Sequence, residues 1–285
     1  MQRLPILRVG SFESAEFAPI AAAVDAVCAS QHAATVQVAS RLLAGAARSP
    51  AAIVLAWPCP GSYCASDLAA LRKGAPLARQ FAVLGSWCEG EPRGGETVAG
   101  VIRTVWHQWL PTWLEEFRGG ARTLRVWGLP ETAGGEERLL ARSSRPRVSR
   151  SGLVVILSRR RETAELLGQA CRQRGYATVW LQDPTEMSRV GNPQWILWDG
   201  DARRLDELDV LGRATSIPIV ALLDFPRPED VARAAAAGAV AVLGRPLRWE
   251  CLDWHLDQAG HPSSASCNGN AGTHVMPSAY SVRCG

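Results

Sequence analysis

The stretch from Gly85 to Trp113 carries the most reactive mixture of side chains in the sequence. A thiol at Cys88, nearby glutamates and an imidazole at His107 are the group types that a nucleophile, an orienting acid and a general base require. That chemistry needs Cys88 and His107 within hydrogen-bond reach of each other, and no spacing motif links them. The stretch therefore predicts a cysteine enzyme only as an alternative.

The same residue types also suit recognition. Tryptophan and arginine are enriched at binding hot spots, and the stretch follows the carboxyl end of a predicted strand, where open α/β sheets place ligands. Two interpretations stay open beside catalysis: a surface that docks a protein or small ligand, and a tryptophan-lined interface with the rest of the chain or a second subunit. The candidate surface comprises Trp87, Cys88, Glu89, Glu91, Arg93, Trp106 and His107.

A second candidate is Asp199, which ends the apolar run Gln194–Asp199 and precedes Gly200 and Asp201. Aspartate and glycine at a strand end favour a turn or cap without catalytic duty. Alternatively, Arg159 or Arg245 forms a salt bridge with Asp199.

The predicted elements around Asp199 alternate regularly between strands and helices. Apolar runs alternate with helix-like segments, and each run ends in a polar residue, glycine or proline, as in buried parallel strands joined by crossover helices. The predicted strands are Leu153–Leu157, Gly175–Trp180, Gln194–Asp199, Ile217–Leu223 and the run ending at Arg245, with a first helix over Glu162–Arg174. The pattern predicts one doubly wound domain over residues 152–257.

The first half shows a similar alternation. Strands are predicted at Leu4–Val9, Thr35–Ala39, Ala51–Ala56 and Phe81–Gly85, and helices at Phe17–Ser30 and Ser66–Ala75, with Ser66 as N-cap.

The second half resembles the receiver domain of bacterial response regulators. The resemblance is carried by Gly175-Tyr176, Pro193-x-x-Ile-Leu-x-Asp199, Ile217-Pro218-Ile219, Ala234-x-x-Ala-Gly238-Ala and Pro246. It implies that Asp199 stands at the phosphoacceptor position. It also implies that Ser158 and Arg159 stand where the family has an acidic pair, Leu223 where it has a hydroxyl, and Arg245 where it has a lysine.

These departures predict a degenerate, or pseudo-receiver, domain. Magnesium prefers hard oxygen ligands and is repelled by an arginine in place of a carboxylate. Phosphoryl transfer depends on such positioned charge. Leu223 cannot donate a hydrogen bond, and a guanidinium does not replace a compact ammonium. We therefore expect no metal, no cofactor and no phosphorylation of the usual kind.

The first half is similar to a receiver at Pro50-x-x-Ile-Val-Leu-Ala56 followed by Pro60-Gly61, which places Ala56 at the acceptor position. An unassigned Rossmann-like domain is the alternative. The expected fold class is α/β, with two doubly wound, flavodoxin-like (receiver-type) parallel sheets in tandem. The expected domains are 1–118 and 152–257, with a linker at 119–151 and a disordered tail at 258–285.

Composition narrows the function classes. Thirty-one basic against 27 acidic residues give a net charge of +4, too mild to indicate nucleic-acid binding. No long apolar run or signal-peptide pattern is present, so a cytoplasmic protein is expected. Eight scattered cysteines without zinc spacing predict mostly reduced thiols.

The resulting expectation is a non-catalytic signal-transduction protein of the two-component, phosphorelay type. It would act through protein contacts or self-association on the face formed by the fourth strand, last strand and last helix of the second half. That face includes Phe225, Ala239, Trp249 and Trp254. The alternative is an enzyme or a ligand site on the Trp87 to His107 segment.

Overall fold

The computed structural model describes residues 3–90, 99–119 and 150–258, together with positions 129, 133, 136, 137, 140 and 141. The first half consists of β1 (Pro5–Val9), α1 (Ala18–Val27), β2 (Ala29–Ala33), α2 (Val36–Gly45), β3 (Ala52–Trp57), α3 (Ala65–Gly74), β4 (Arg79–Leu84), β5 (Val101–Val105) and α4 (Trp106–Gly119). The predicted linker, except for those six positions and its two ends, and the predicted tail beyond Gln258 lie outside the described residues.

The second half repeats this alternation. Its elements are β6 (Leu153–Ser158), α5 (Arg161–Gln173), β7 (Ala177–Leu181), β8 (Trp195–Asp199), α6 (Leu205–Ala214), β9 (Ile219–Asp224), α7 (Pro228–Ala236), β10 (Ala239–Arg245) and α8 (Trp249–Gln258). Short 3-10 turns lie at Ser86–Cys88, Pro184–Arg189 and Ala202–Arg204.

Each half contains one five-stranded sheet whose strand pairs are all parallel. The strand orders are β2-β1-β3-β4-β5 and β7-β6-β8-β9-β10, which are the same order when each half is numbered from its own first strand. This is the flavodoxin-like doubly wound arrangement, in which ligands bind beyond the carboxyl ends of the strands. The predicted fold class is therefore confirmed for both halves.

The central strands explain why both sheets form. Every residue of β3 and β8 is buried, as expected for strands covered by helices on both faces. In the first half α1 and α4 cover one face, while α2 and α3 cover the other. In the second half α5 and α8 pack opposite α6 and α7.

The sequence prediction was wrong around the second strand. Thr35–Ala39, predicted as a strand, contains the N-cap and first turn of α2, and the Thr35 hydroxyl accepts a hydrogen bond from the Val38 amide at 3.3 Å. The actual strand β2 is the polar segment Ala29–Ala33, in which only Ala33 is buried. An exposed edge strand carries no apolar signal, and the predicted helix from Phe17 was therefore extended into it.

The N-cap of α3 also differs from the prediction. Cys64 precedes the helix, and its backbone N–H donates to the Asp67 carboxylate at 3.0 Å, so Ser66 lies inside the first turn. Hydrogen bonds from the Cys64 thiol and amide hold the pKa of Asp67 below its ordinary value. The six described cysteines form no disulfide.

The two halves contact each other through α4, which packs on α8 and β10. The Gln108 side-chain amide donates to the Pro246 carbonyl at 3.0 Å. The His107 ring lies directly against Gly244, where an added Cβ would overlap the imidazole.

On α8, burial lowers the pKa of His255 to about 4. Among the described residues, no helix combines the length and hydropathy needed to cross a bilayer.

Gly212→Ala tests the close approach of α6 and α7. The new Cβ would overlap the Ala237 carbonyl oxygen and stand 3.3 Å from the Gly238 Cα. We expect a loss of about 1–3 kcal/mol in unfolding free energy, measured by urea denaturation, because the backbone at Ala237 and Gly238 must shift to accommodate the methyl group. Gly45→Ala in α2, where nothing lies within 4 Å, is the control and should be neutral or slightly stabilising. Equal changes in unfolding free energy for the two variants would contradict the close packing of α6 against the end of α7.

The partly buried His255 predicts a pH-dependent stability. Its folded pKa of about 4 lies below the unfolded value near 6.5, so the unfolded chain binds the proton first as pH falls. The stabilisation is therefore complete above about pH 6.5 and is lost progressively down to about pH 4, by roughly 3 kcal/mol. Urea unfolding at pH 7 and pH 4.5 should show a smaller pH effect in His255→Gln. An unchanged pH effect in that variant would contradict the assignment.

Candidate functional site

The carboxylate of Asp199 lies at the carboxyl end of β8, with 1% of its side chain exposed. Oδ2 accepts hydrogen bonds from the Ser158 hydroxyl at 2.6 Å and Arg160 Nε at 3.3 Å. Oδ1 accepts from Arg160 Nη2 at 2.7 Å and from Arg245 Nη1. Two guanidiniums and one hydroxyl therefore engage both oxygens of one buried carboxylate.

Strand register brings these groups together. Ser158 ends β6 and stands opposite Asp199 across the β6–β8 pair. Its hydroxyl also accepts from the Arg160 amide at 3.1 Å, which fixes the turn that follows the strand. Arg245 ends β10 and reaches over β9 to Asp199. The cluster therefore occupies the carboxyl edge of the sheet, where this fold class binds ligands.

Arg245 is the most connected side chain of the cluster. Nε donates to Asp224 Oδ1 at 2.6 Å, and Nη2 donates to the Gly200 carbonyl at 2.8 Å. The hydrogen bond from Arg245 holds the pKa of Asp224 below its ordinary value, although burial opposes this. The hydrogen bond to Asp199 raises the pKa of Arg160. These hydrogen bonds thus favour the charged forms of Asp224 and Arg160.

The surrounding surface is a small, highly charged cavity of about 190 Å³. Its lining comprises Arg159, Arg160, Asp199, Gly200, Asp201, Arg204, Asp224 and Arg245. Nowhere in the described part of the chain do three or more histidine, cysteine, aspartate or glutamate side chains form a group suited to a metal ion.

The site residues predicted from the sequence meet in part. Arg245 contacts Asp199, whereas Arg159 donates to Glu207 at 3.1 Å instead. The second partner of Asp199 is Arg160, which sequence reasoning did not select. The run of three arginines immediately after β6 was the available signal, but which of them turns inward depends on the loop conformation. Leu223 is fully buried in the core between the sheet, α6 and α7.

The first half has no carboxylate at the corresponding place. Ala56 lies near the end of β3 and is buried. A polar cavity of about 390 Å³ lies beside it, lined in part by Ser11, Gln37 and Tyr63. The Tyr63 hydroxyl donates to the Val9 carbonyl at 3.0 Å, and burial raises its pKa to about 12.

The Trp87 to His107 surface is split by the fold. Trp87 is 79% exposed, whereas Cys88 is fully buried and its thiol points to the Trp57 carbonyl at 3.7 Å. His107 Nε2 lies 2.8 Å from Glu89 Oε1, and Nδ1 has no hydrogen-bond partner. Cys88 and His107 therefore do not form the pair that nucleophilic catalysis requires. Trp106 is buried on α4, and Glu91 and Arg93 lie outside the described residues.

The face predicted for docking is partly covered by the first half. Trp254 lies at the contact between the halves, beside α4, and Ala239 is buried. Phe225 is 46% exposed and Trp249 is 38% exposed, after the ends of the neighbouring strands β9 and β10. Of the four residues predicted for this face, Phe225 and Trp249 are the two that remain exposed, and we call this pair the β9–β10 aromatic edge.

No protein-family model matches the chain, and no curated protein matches it. Solved structures do show similarity. Several of these structures are receiver domains. The receiver domain of the Francisella response regulator 1452 is 16% identical, with a TM-score of 0.34, over 38% of this chain and 95% of that one.

Two further structural neighbours match a similar share of this chain. The signal receiver domain of a histidine kinase from Syntrophus aciditrophicus is 21% identical over 41% of this chain and 97% of that one, with a TM-score of 0.34. NtrX from Brucella abortus, solved in complex with ADP, is 15% identical over 39% of this chain and 27% of that one, with a TM-score of 0.35. The assignment of the receiver-type fold rests on the strand order of each half.

Arg245→Ala tests the Asp199 cluster. It removes one of two cations from a buried carboxylate and breaks the links to Asp224 and Gly200. We expect a loss of roughly 3 kcal/mol in unfolding free energy by urea denaturation. The control is Arg213→Ala, whose guanidinium is 79% exposed and pairs with Asp209 on the same helix; it should cost less than about 0.5 kcal/mol. Similar losses for the two variants would contradict the proposed importance of the cluster.

Proposed function

We propose that this chain is a signal-transduction protein that acts through protein contacts, and that Asp199 does not serve as a phosphoacceptor of the usual kind. The observation that carries the proposal is the double arginine clamp on Asp199. Both carboxylate oxygens accept from Arg160, and Oδ1 also accepts from Arg245. A phosphoacceptor needs a free oxygen that can attack phosphorus.

The charges around Asp199 also oppose magnesium. At an effective dielectric of roughly 20, like unit charges about 4 Å apart repel by about 4 kcal/mol, and a divalent ion doubles that for each arginine. Magnesium usually keeps its site through carboxylates and phosphate oxygens. Ser158 and Arg159 supply neither at the positions that the family resemblance assigns to an acidic pair. Of the three carboxylates that line the cavity, Asp199 and Asp224 already form ion pairs with guanidiniums.

The absence of a hydrogen-bond donor at Leu223 and of a nucleophile at Ala56 also argues against phosphoryl transfer. Leu223 is buried in the core and has no group that could hydrogen-bond a phosphoryl oxygen. The first half has Ala56 at the corresponding strand end, which has no nucleophile at all. Among the described residues, neither carboxyl edge therefore has the charge arrangement on which phosphoryl transfer depends.

The working surface in this proposal is the β9–β10 aromatic edge. Phe225 and Trp249 are exposed aromatic side chains, the kind that supplies hot spots in protein interfaces. The adjoining part of the same face is occupied by α4 of the first half. A partner that competes with this internal contact, or docks beside it, would convert binding into a change in the arrangement of the halves.

Titration with beryllofluoride and magnesium, monitored by tryptophan fluorescence, tests the proposal. Trp198 directly precedes Asp199 in β8, and its ring packs against Gly200, so an adduct on the carboxylate would alter its emission. We expect no saturable, magnesium-dependent change. A receiver domain known to form the adduct is the positive control for the reagent. A saturable change that disappears in Asp199→Asn would overturn the proposal and restore a phosphorylation switch.

A further inference from the structure

The sheet of the second half has an open edge at β7. The strand order places β7 at one edge of this sheet and β10 at the other. The β10 edge contacts α4 of the first half, whereas β7 pairs only with β6 in the part of the chain that the structure describes. An edge strand presents unpaired backbone N–H and C=O groups, which are a template for another strand.

The composition of β7 favours such pairing. The strand reads Ala-Thr-Val-Trp-Leu and lacks the charges, proline and glycine that commonly protect an edge. Threonine, valine and tryptophan also have high β-propensity, and Trp180 is 38% exposed. The strand at the same position of the first half, β2, reads Ala-Ser-Gln-His-Ala and is polar. Of these two equivalent edges, only β7 is therefore apolar.

The backbone direction of β7 fixes how a second strand would pair. The Ala177 N–H donates to the Gly152 carbonyl at 2.8 Å and so points toward β6. Because these groups alternate in direction along a strand, the N–H and C=O groups of Thr178 and Trp180 point outward. A two-fold axis at Val179 places Thr178 opposite Trp180 of a second, antiparallel copy. Each such pair exchanges hydrogen bonds in both directions.

The side chains along this edge complement themselves under the same two-fold axis. Arg172 Nη1 donates to Thr178 Oγ1 at 2.9 Å, and the guanidinium forms no ion pair with another described residue. The Trp180 ring is held in place because Nε1 donates to the Ser158 carbonyl at 2.8 Å. Thr178 and Trp180 lie on one face of the sheet, since they are two residues apart. Antiparallel pairing therefore brings the Arg172 guanidinium of one copy to the Trp180 ring of the other, as a cation–π contact.

The equivalent arginine of the first half is already satisfied. Arg8 Nε donates to Ser30 Oγ on β2 at 2.9 Å, as Arg172 does to Thr178 on β7. The Arg8 guanidinium also pairs with Asp25 at 2.9 Å and lies 5.4 Å from the centre of the Phe12 ring. The first half therefore supplies within itself the anion and the aromatic ring for its edge arginine. The second half leaves both to a partner.

We propose that β7 is a self-association site, at which two copies of this chain pair antiparallel about Val179 and join their five-stranded sheets into one continuous sheet. The occupant is a second copy because the edge carries both members of the contact, the guanidinium and the indole, in antiparallel register. Pairing at β7 leaves the contact between the halves intact, because that contact lies at the opposite edge. This inference goes beyond the proposed signalling function and does not depend on it.

Sedimentation velocity of the intact chain from about 1 to 200 μM tests the proposal. We expect a monomer–dimer equilibrium with a Kd of about 1–100 μM, because an interface centred on two short strands is small. Thr178→Pro removes the outward N–H, and proline is tolerated at such an edge position. It should weaken the dimer at least about tenfold. The matched control is Ser30→Pro, the same change at the equivalent outward position of β2, which should keep the Kd within about twofold.

Arg172→Glu is a second variant at an exposed helix position, so it leaves the strand itself unchanged. It replaces the cation that faces the ring of the second copy and should weaken the dimer about fivefold or more. Far-UV circular dichroism confirms folding of each variant. Thr178→Pro decides the question if it folds, and Arg172→Glu decides it otherwise.

Either of two results overturns the inference. One is a chain that remains monomeric up to about 200 μM, which would leave the β7 edge to a strand of a different protein. The other is a dimer whose Kd the deciding variant leaves unchanged, which would place the self-contact elsewhere on the surface. None of these results bears on phosphorylation of Asp199, so failure here and failure of the proposed function remain distinguishable.

Discussion

The ion pairs of Asp199 are the constraint on which the second half depends. A carboxylate with 1% of its side chain exposed is tolerated only if its charge is compensated. Ser158 and Arg160 supply partners from the end of β6, and Arg245 supplies one from the end of β10. Because Arg245 also binds Asp224 after β9, the cluster ties together the ends of four neighbouring strands. At the edge where this fold class binds ligands, both Asp199 oxygens are thereby engaged by the protein's own side chains.

The contact between the halves is the other feature of the structure that bears on function. There α4 packs on α8 and β10, and the close approach of His107 to Gly244 leaves no room for a side chain on β10 at that point. The hydrogen bond from Gln108 to the Pro246 carbonyl adds a polar link beside it. An internal interface of this kind resembles transient protein interfaces, which a partner or a ligand can stabilise or displace. In the proposed function, a change at one half therefore affects the other through the packing of α4 on α8 and β10, and not through a phosphoryl group.

The sequence predicted the central strands well, but it did not predict α2, β5 or the buried helix α4. Runs such as Trp195–Asp199 have an unmistakable apolar pattern because both faces of a central strand are covered. The edge strand Ala29–Ala33 is mostly exposed and polar, so its position could not be inferred from periodicity. At the site, Arg159 or Arg245 was predicted as an alternative partner of Asp199, and Arg245 is one. Arg160 was not predicted, because the direction of its side chain depends on the turn after β6. The contact of His107 with Gly244 joins residues far apart in sequence and leaves no local signal.

The most direct test of the closed Asp199 site is intact-mass measurement after incubation with acetyl phosphate and magnesium. We expect no phosphoryl adduct on the wild-type chain, because the acceptor oxygens are engaged by Arg160 and Arg245 and no acidic pair retains the metal. A receiver domain with the full set of acidic residues, treated in parallel, confirms that the donor is active. A phosphoryl adduct on the wild-type chain that is absent from Asp199→Asn would show that Asp199 is a phosphoacceptor.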